Sequence, residues 1–205
     1  MCHGFVTGGE KNPNCKRKEV NGVRKVNSVA RSVCRIGIMA ATIECAKLVL
    51  MGLPNVEAVT FLIAVFSYVF GWQGVAASLV FVAIEPLIWG FGTWVISYFI
   101  YWPLVALVFM LFGRARVKNT IAITGAAILL TVFFGVLTSF VDVGLFSGRF
   151  DRLLVRFAAY YLRGVLFYLV QIATNAVLFP TLFGKARDLL FRLKGDTIEK
   201  KDEVE

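Results

Sequence analysis

The sequence holds one histidine, His3, in 205 residues. No HExxH or other pair of imidazoles on one helix face is available, which excludes the usual zinc-hydrolase arrangement. No GxxxxGK[ST] stretch occurs, so the chain has no P-loop to cradle nucleotide phosphates. No GxSxG occurs, which removes the nucleophile elbow. The four cysteines are Cys2, Cys15, Cys34 and Cys45, and no CxxC is among them. Cys2, His3 and Cys15 match no zinc spacing and lack a fourth ligand, so no metal is expected. The first 27 residues are polar and have no apolar run of signal-peptide type, so no secretory leader is expected. Charge is scarce as well, at 17%, where soluble domains carry about a quarter.

What is abundant is apolar surface. Hydrophobic residues make up 58% of the chain and the mean hydropathy is +0.74. A soluble protein of this length has too little interior to hide several helices that are apolar all round. The fold class is therefore an all-α integral membrane protein. The net charge is +9, yet it does not point to nucleic acid. Eight Lys/Arg fall in 11–35, three in 113–119 and six in 185–201, which is 17 of the 22. Such clusters beside apolar runs mark cytoplasmic segments near anionic lipid. With a cytoplasmic tail, disulfides are not expected.

Six apolar runs are expected to cross the bilayer, at about 28–53, 56–70, 75–89 (after an interruption at 71–74), 93–112, 120–141 and 155–183. Residues 1–27 read as a basic disordered tail, 28–183 as the membrane domain and 184–205 as a charged tail. A span needs about 20 residues to cross roughly 30 Å, and the second and third runs are short. Joining them through Gly71 gives five spans, but it puts Arg114, Arg116 and Lys118 on the outer side. Six spans with both termini inside keep every basic cluster cytoplasmic. The stretch EPLIWGFGTW (85–94) then faces out, as do 53–57 and 142–154.

Several side chains stand out within this frame. Ala30, Cys34, Gly37, Ala41 and Cys45 fall within about a quarter of the helix circumference. A stripe of small residues lets another helix approach closely, either in the same bundle or on a separate membrane subunit. Glu44 and Lys47 are three apart and can neutralise each other. Glu57 and Glu85 sit near outer helix ends with no Lys or Arg close in sequence. Trp89, Trp94, Tyr98, Tyr101 and Trp102 give the fourth run an aromatic start, fit for an interface belt or the wall of a planar ligand's site. On the sixth run Tyr160, Arg163, Phe167, Gln171 and Asn175 recur at helical spacing. Arg163 is expected to face the bundle and pair with Glu85, Glu57 or Asp142. Gln171 and Asn175 can bond across helices. The two halves show no visible repeat, which speaks against an inverted-repeat carrier.

The small-residue pattern of ARSVCRIGIMAATIEC, the aromatic-rich outer loops and the stretch LPNVEAVTFLIAVFSYVFGWQGVAASLVFVAIEPLIWGFGTWVISYFIYWPLVAL resemble the substrate-binding S components of energy-coupling factor (ECF) vitamin transporters. The resemblance covers about 28–183. It implies a six-helix, non-enzymatic subunit of the cell membrane that captures a vitamin-like micronutrient from outside. The ligand is delivered by toppling in the membrane after union with a coupling membrane subunit and two ATPases, which bind the ATP. In the family, small residues on the first helix contact the coupling subunit, and Gly37, Ala41 and Cys45 match that spacing, with Cys in place of one Ala. Asn55, Glu57, Glu85, Trp89, Trp94, Tyr98, Tyr160 and Arg163 are the residues expected at the ligand. The two acids point to an amine-bearing or cationic compound. The competing readings are a small intramembrane enzyme or structural membrane protein using Glu44, Glu85 and Arg163, and a stand-alone channel or carrier.

Overall fold

A computed structural model describes residues 13–52, 58–146 and 153–202. Among these the chain is helical, with no strand. The helices are α1 (Pro13–Leu50), α2 (Val59–Phe70), α3 (Trp72–Trp89), α4 (Trp94–Arg114), α5 (Thr120–Val141) and α6 (Leu153–Asp202). A short π-helical turn, Asp142–Phe146, continues α5. α1 starts at Pro13, inside the segment expected to be an unstructured tail.

Among the described residues, four helices are long and apolar enough to cross a membrane: Trp72–Trp89, Trp94–Arg114, Thr120–Gly144 and Leu154–Gly195. α2 is apolar but has only 12 residues, a length of about 18 Å at 1.5 Å per residue. It makes up for this by position, because it packs against α1, α3, α4 and α6. Its buried residues run almost unbroken from Val59 to Val69. A helix apolar on every side belongs in the middle of a bundle.

The breaks between helices have local causes. Gly71 takes φ +61°, ψ −124°, a conformation closed to other residues without strain. α3 thereby folds back on α2 instead of continuing it. The fit at this reversal is tight: a Cβ on Gly74 would sit 2.5 Å from the Ser67 Cα. The second and third apolar runs are thus separate helices. At the other end of α3, Gly90 (φ +82°) caps the helix and donates its N–H to the Pro86 carbonyl at 3.0 Å. Asn119 starts α5, its side chain accepting from the Ile121 N–H at 2.9 Å.

The core lies where α2, α4 and the second half of α6 meet. Phe61, Phe109, Phe179 and Phe183 pack ring on ring there, with Phe61 edge-on to Phe179 at 5.5 Å. The first half of α6 touches α5 rather than this core. A polar clasp joins the two, as the buried Asn175 amide donates to the Thr131 hydroxyl at 2.9 Å.

Candidate functional site

One end of the bundle gathers charge and aromatic rings. Glu44 and Lys47 come from the last turns of α1, and Glu85 comes from the last turns of α3. α1 and α3 pack side by side, so residues 38 positions apart become neighbours. The Lys47 ammonium ion-pairs with Glu85 Oε2. Lys47 and Glu44, three apart on one helix, were expected to neutralise each other; the cation instead bonds across to the other helix. Glu85 is fully buried, at 1% exposure, and Glu44 is buried beside it. The Glu44 and Glu85 carboxyl groups lie within hydrogen-bonding reach of each other, but with both ionised Glu85 Oε1 and the two Glu44 oxygens have no donor.

The chemistry of this cluster follows from its composition. Two carboxylates face one ammonium. Ions held away from water are destabilised unless each is paired and hydrogen-bonded. One acid of this cluster therefore requires a further positive partner, either a proton or an incoming cationic or hydrogen-bond-donating group.

Aromatic rings enclose the ammonium. Lys47 Nζ lies 5.5 Å from the Trp89 ring centre, 5.6 Å from that of Tyr98 and 5.9 Å from that of Phe81. These are cation–π distances. Beyond them the wall runs down α4 in one-turn steps, from Trp94 to Tyr98 at 5.0 Å and from Tyr98 to Trp102 at 5.6 Å. Phe134 of α5 closes it, 4.6 Å from Tyr101. The turn between α3 and α4 is shaped around the first of these rings. A Cβ on Gly92 would meet the Trp94 indole nitrogen at 2.6 Å, so only glycine lets the indole lie across the chain there.

Of the residues expected at a ligand, Glu85, Trp89, Trp94 and Tyr98 come together here. Tyr160 and Arg163 do not. Both are exposed on the first half of α6, and α6 packs on α5 and α2 rather than on α1 or α3. Arg163 thus faces away from the bundle, and Glu85 has Lys47 as its partner. Asn55 and Glu57 lie outside the described residues. The residues that sequence reasoning did not tie to this site are Glu44, Lys47, Phe81 and Phe134. Lys47 carried a usable signal, being a cation near the end of an apolar helix; Phe134 carried none.

The small-residue stripe occupies a different face. Ala30, Cys34, Gly37, Ala41 and Cys45 are all exposed, while Met39, Ala40, Ile43 and Glu44 turn inward. A Cβ on Gly37 would have nothing within 4 Å. Among the described residues the stripe is therefore not used in the chain's own bundle. Beside it a groove of about 900 Å³ runs between α1, α2 and α6, lined by Ala30, Cys34, Ile38, Phe66 and Leu190 among others.

The opposite end of the bundle is basic. Arg35 donates to Gln73 at 3.0 Å and lies over Phe70, which Lys194 also approaches. Arg114, Arg116, Lys118 and Arg187 surround the same end. The basic clusters that are far apart in sequence thus share one end, remote from Lys47 and Glu85.

Comparison with known protein families, with curated proteins and with solved structures finds no match.

Proposed function

We propose that this chain is the membrane-embedded substrate-binding subunit of an ECF-type importer, and that its ligand is a vitamin-like small molecule bearing an amine or other cationic group. The observation that carries the ligand reading is the surplus carboxylate of the Glu44–Lys47–Glu85 cluster under an aromatic wall. A planar cation entering beside Lys47 gains a carboxylate partner and ring faces to stack on. In this reading Glu85 and Glu44 receive the ligand's donor, and Trp89, Trp94 and Tyr98 hold its ring. Asn55 and Glu57 stay candidates on the adjoining segment. The chain itself performs no chemistry and binds no ATP.

The membrane arrangement proposed is six spans with both termini cytoplasmic. It is supported by the gathering of Arg35, Arg114, Arg187 and Lys194 at one end, since positive charge is retained on the cytoplasmic side. The Lys47–Glu85 end then faces outside. The partner reading is supported by the outward-facing stripe on α1. Where lipid gives no hydrophobic drive, close approach of small residues is a main source of helix association. An exposed stripe of this kind fits a second membrane subunit.

Affinity purification of the full chain from its native membrane tests this. A coupling membrane protein and two P-loop ATPases are expected to accompany it, and Ala41→Trp, which adds bulk to an exposed position, is expected to remove all three. A chain that purifies alone, or an Ala41→Trp protein that keeps its partners, overturns the proposal.

A further inference from the structure

A cleft of about 500 Å³ opens at the basic end, between the turn that joins α2 to α3, the end of α4 and the last part of α6. It draws its cations from three places in the sequence: Arg114 at the end of α4, Arg116 and Lys118 in the following loop, and Arg187 and Lys194 on α6. Against these five stands Asp188, whose Oδ1 accepts from Arg187 at 2.8 Å. One acid among five bases leaves the cleft strongly positive.

The cations are held in place by the fold. A Cβ on Gly113 would come within 2.2 Å of the Tyr68 carbonyl, so the end of α4 rests directly on the end of α2. Tyr68 donates its hydroxyl hydrogen to the Val117 carbonyl at 2.9 Å, which ties the 115–119 loop to α2. Arg116 takes a left-handed backbone, φ +52°, to make that loop turn. Lys194 donates to the Val69 carbonyl at 2.8 Å and lies 5.9 Å from the Phe191 ring. Arg114 lies 5.9 Å from the Trp72 ring. Holding like charges together in this way opposes their repulsion and raises affinity for an anion, because the site loses little side-chain freedom on binding.

We propose that this cleft is a binding site for a phosphate-bearing anion. Arginine presents a planar fork of N–H donors that matches phosphate oxygens, and the lysines add point charge. The apolar floor of Phe70, Met110 and Phe191 suits the carbon attached to an esterified phosphate. The site is separate from the Glu85 cluster and does not depend on the transport reading. The same chemistry is offered by the headgroup of an anionic phospholipid and by free phosphate.

Thermal unfolding of the delipidated full chain in neutral detergent distinguishes them. Added phosphatidylglycerol is compared with phosphatidylcholine, and inorganic phosphate with chloride at equal ionic strength. The wild type is set beside Arg114→Gln/Arg187→Gln in the cleft and Lys185→Gln/Arg192→Gln, which removes the same charge from exposed positions outside it. Saturating ligand is expected to raise the unfolding temperature by about 2–4 °C or more in the wild type and the outside variant but not in the cleft variant. A response to phosphatidylglycerol alone identifies a headgroup site, and a response to inorganic phosphate identifies a site for the free ion. Equal responses in all three proteins, or none in the wild type, overturn the proposal.

Discussion

The Lys47 ammonium reaches across from α1 to the buried Glu85 carboxylate of α3, passing its nearer neighbour Glu44. Helix packing decides this. Glu85 is fully buried and would be left without a counter-ion, whereas Lys47 keeps 27% of its side chain exposed and can reach it from the rim. The stronger penalty is relieved first, and Glu44 remains as the excess acid.

Removal of the shared cation and removal of the excess acid should therefore act in opposite directions. Lys47→Met leaves two buried carboxylates facing each other, and a loss of about 3 kcal/mol is expected from breaking such a pair. Glu44→Gln should be neutral or stabilising in the ligand-free protein. Thermal unfolding in detergent measures both. If Glu44→Gln destabilises as much as Lys47→Met, Glu44 is not the surplus charge.

Two glycines separate packing inside the chain from docking outside it. Gly74→Ala drives a methyl against the Ser67 backbone, and overpacking of this kind costs about 1–3 kcal/mol. Gly37→Leu meets open space and should leave the stability of the isolated chain unchanged or raise it by up to about 1 kcal/mol, because glycine is a poor residue inside a helix. It should nonetheless prevent recovery of a coupling subunit. A Gly37→Leu chain that unfolds as readily as Gly74→Ala would show that α1 is packed on that face.

The buried Asn175–Thr131 hydrogen bond fastens α6 to α5. Asn175→Leu should cost about 0.6–1.7 kcal/mol, the range for hydrogen bonds between membrane helices, and Thr131→Val should cost a similar amount. The double variant is expected to lose little more than either single one. Fully additive losses in the double-mutant cycle would show that the two side chains do not act as a pair.

Much of this fold was legible in the sequence, and the misplaced charges share one cause. The run limits read near 70, 89 and 120 coincide with the helix limits at Phe70, Trp89 and Thr120. Asn175 was legible as a cross-helix donor because few uses exist for a buried amide in an apolar helix. The membership of the charged cluster was half legible. Glu85, Trp89, Trp94 and Tyr98 are close in sequence, and their helix ends meet at one turn. The cation was read only as able to neutralise the neighbouring Glu44, because spacing along a helix shows i, i+3 pairs and hides pairs made between helices. Arg163 misled for a related reason. A charge in an apolar run should turn inward, but among the described residues the first half of α6 has α5 on one side and no helix covering the other, so residues such as Leu162, Arg163 and Leu166 stay exposed.

The aromatic wall should be felt in binding more than in folding at its outer rim. Trp89 is 45% exposed and lies over Lys47, so Trp89→Ala should alter stability little while weakening ligand capture. A loss of about 0.5–2 kcal/mol in affinity is expected for a stacked or cation–π contact, a factor of about 2 to 30. Trp102 is buried in the core, and Trp102→Ala should destabilise by about 3–5 kcal/mol. Titration with the recovered ligand and thermal unfolding together check the contrast. Equal binding by wild type and Trp89→Ala would place the ligand elsewhere.

The most direct measurement is mass spectrometry of the small molecule retained by the gently purified chain, made side by side on wild type and Glu85→Gln and normalised to folded monomer. A hydrogen bond to a charged group contributes about 1.5–3 kcal/mol, so the variant is expected to retain at least about tenfold less of one amine-bearing or cationic compound. Its recovery of the coupling subunit should be unchanged. Equal retention by the two proteins, or a retained ligand with no cationic or donor group, would contradict the assignment of Glu85 as the ligand's partner.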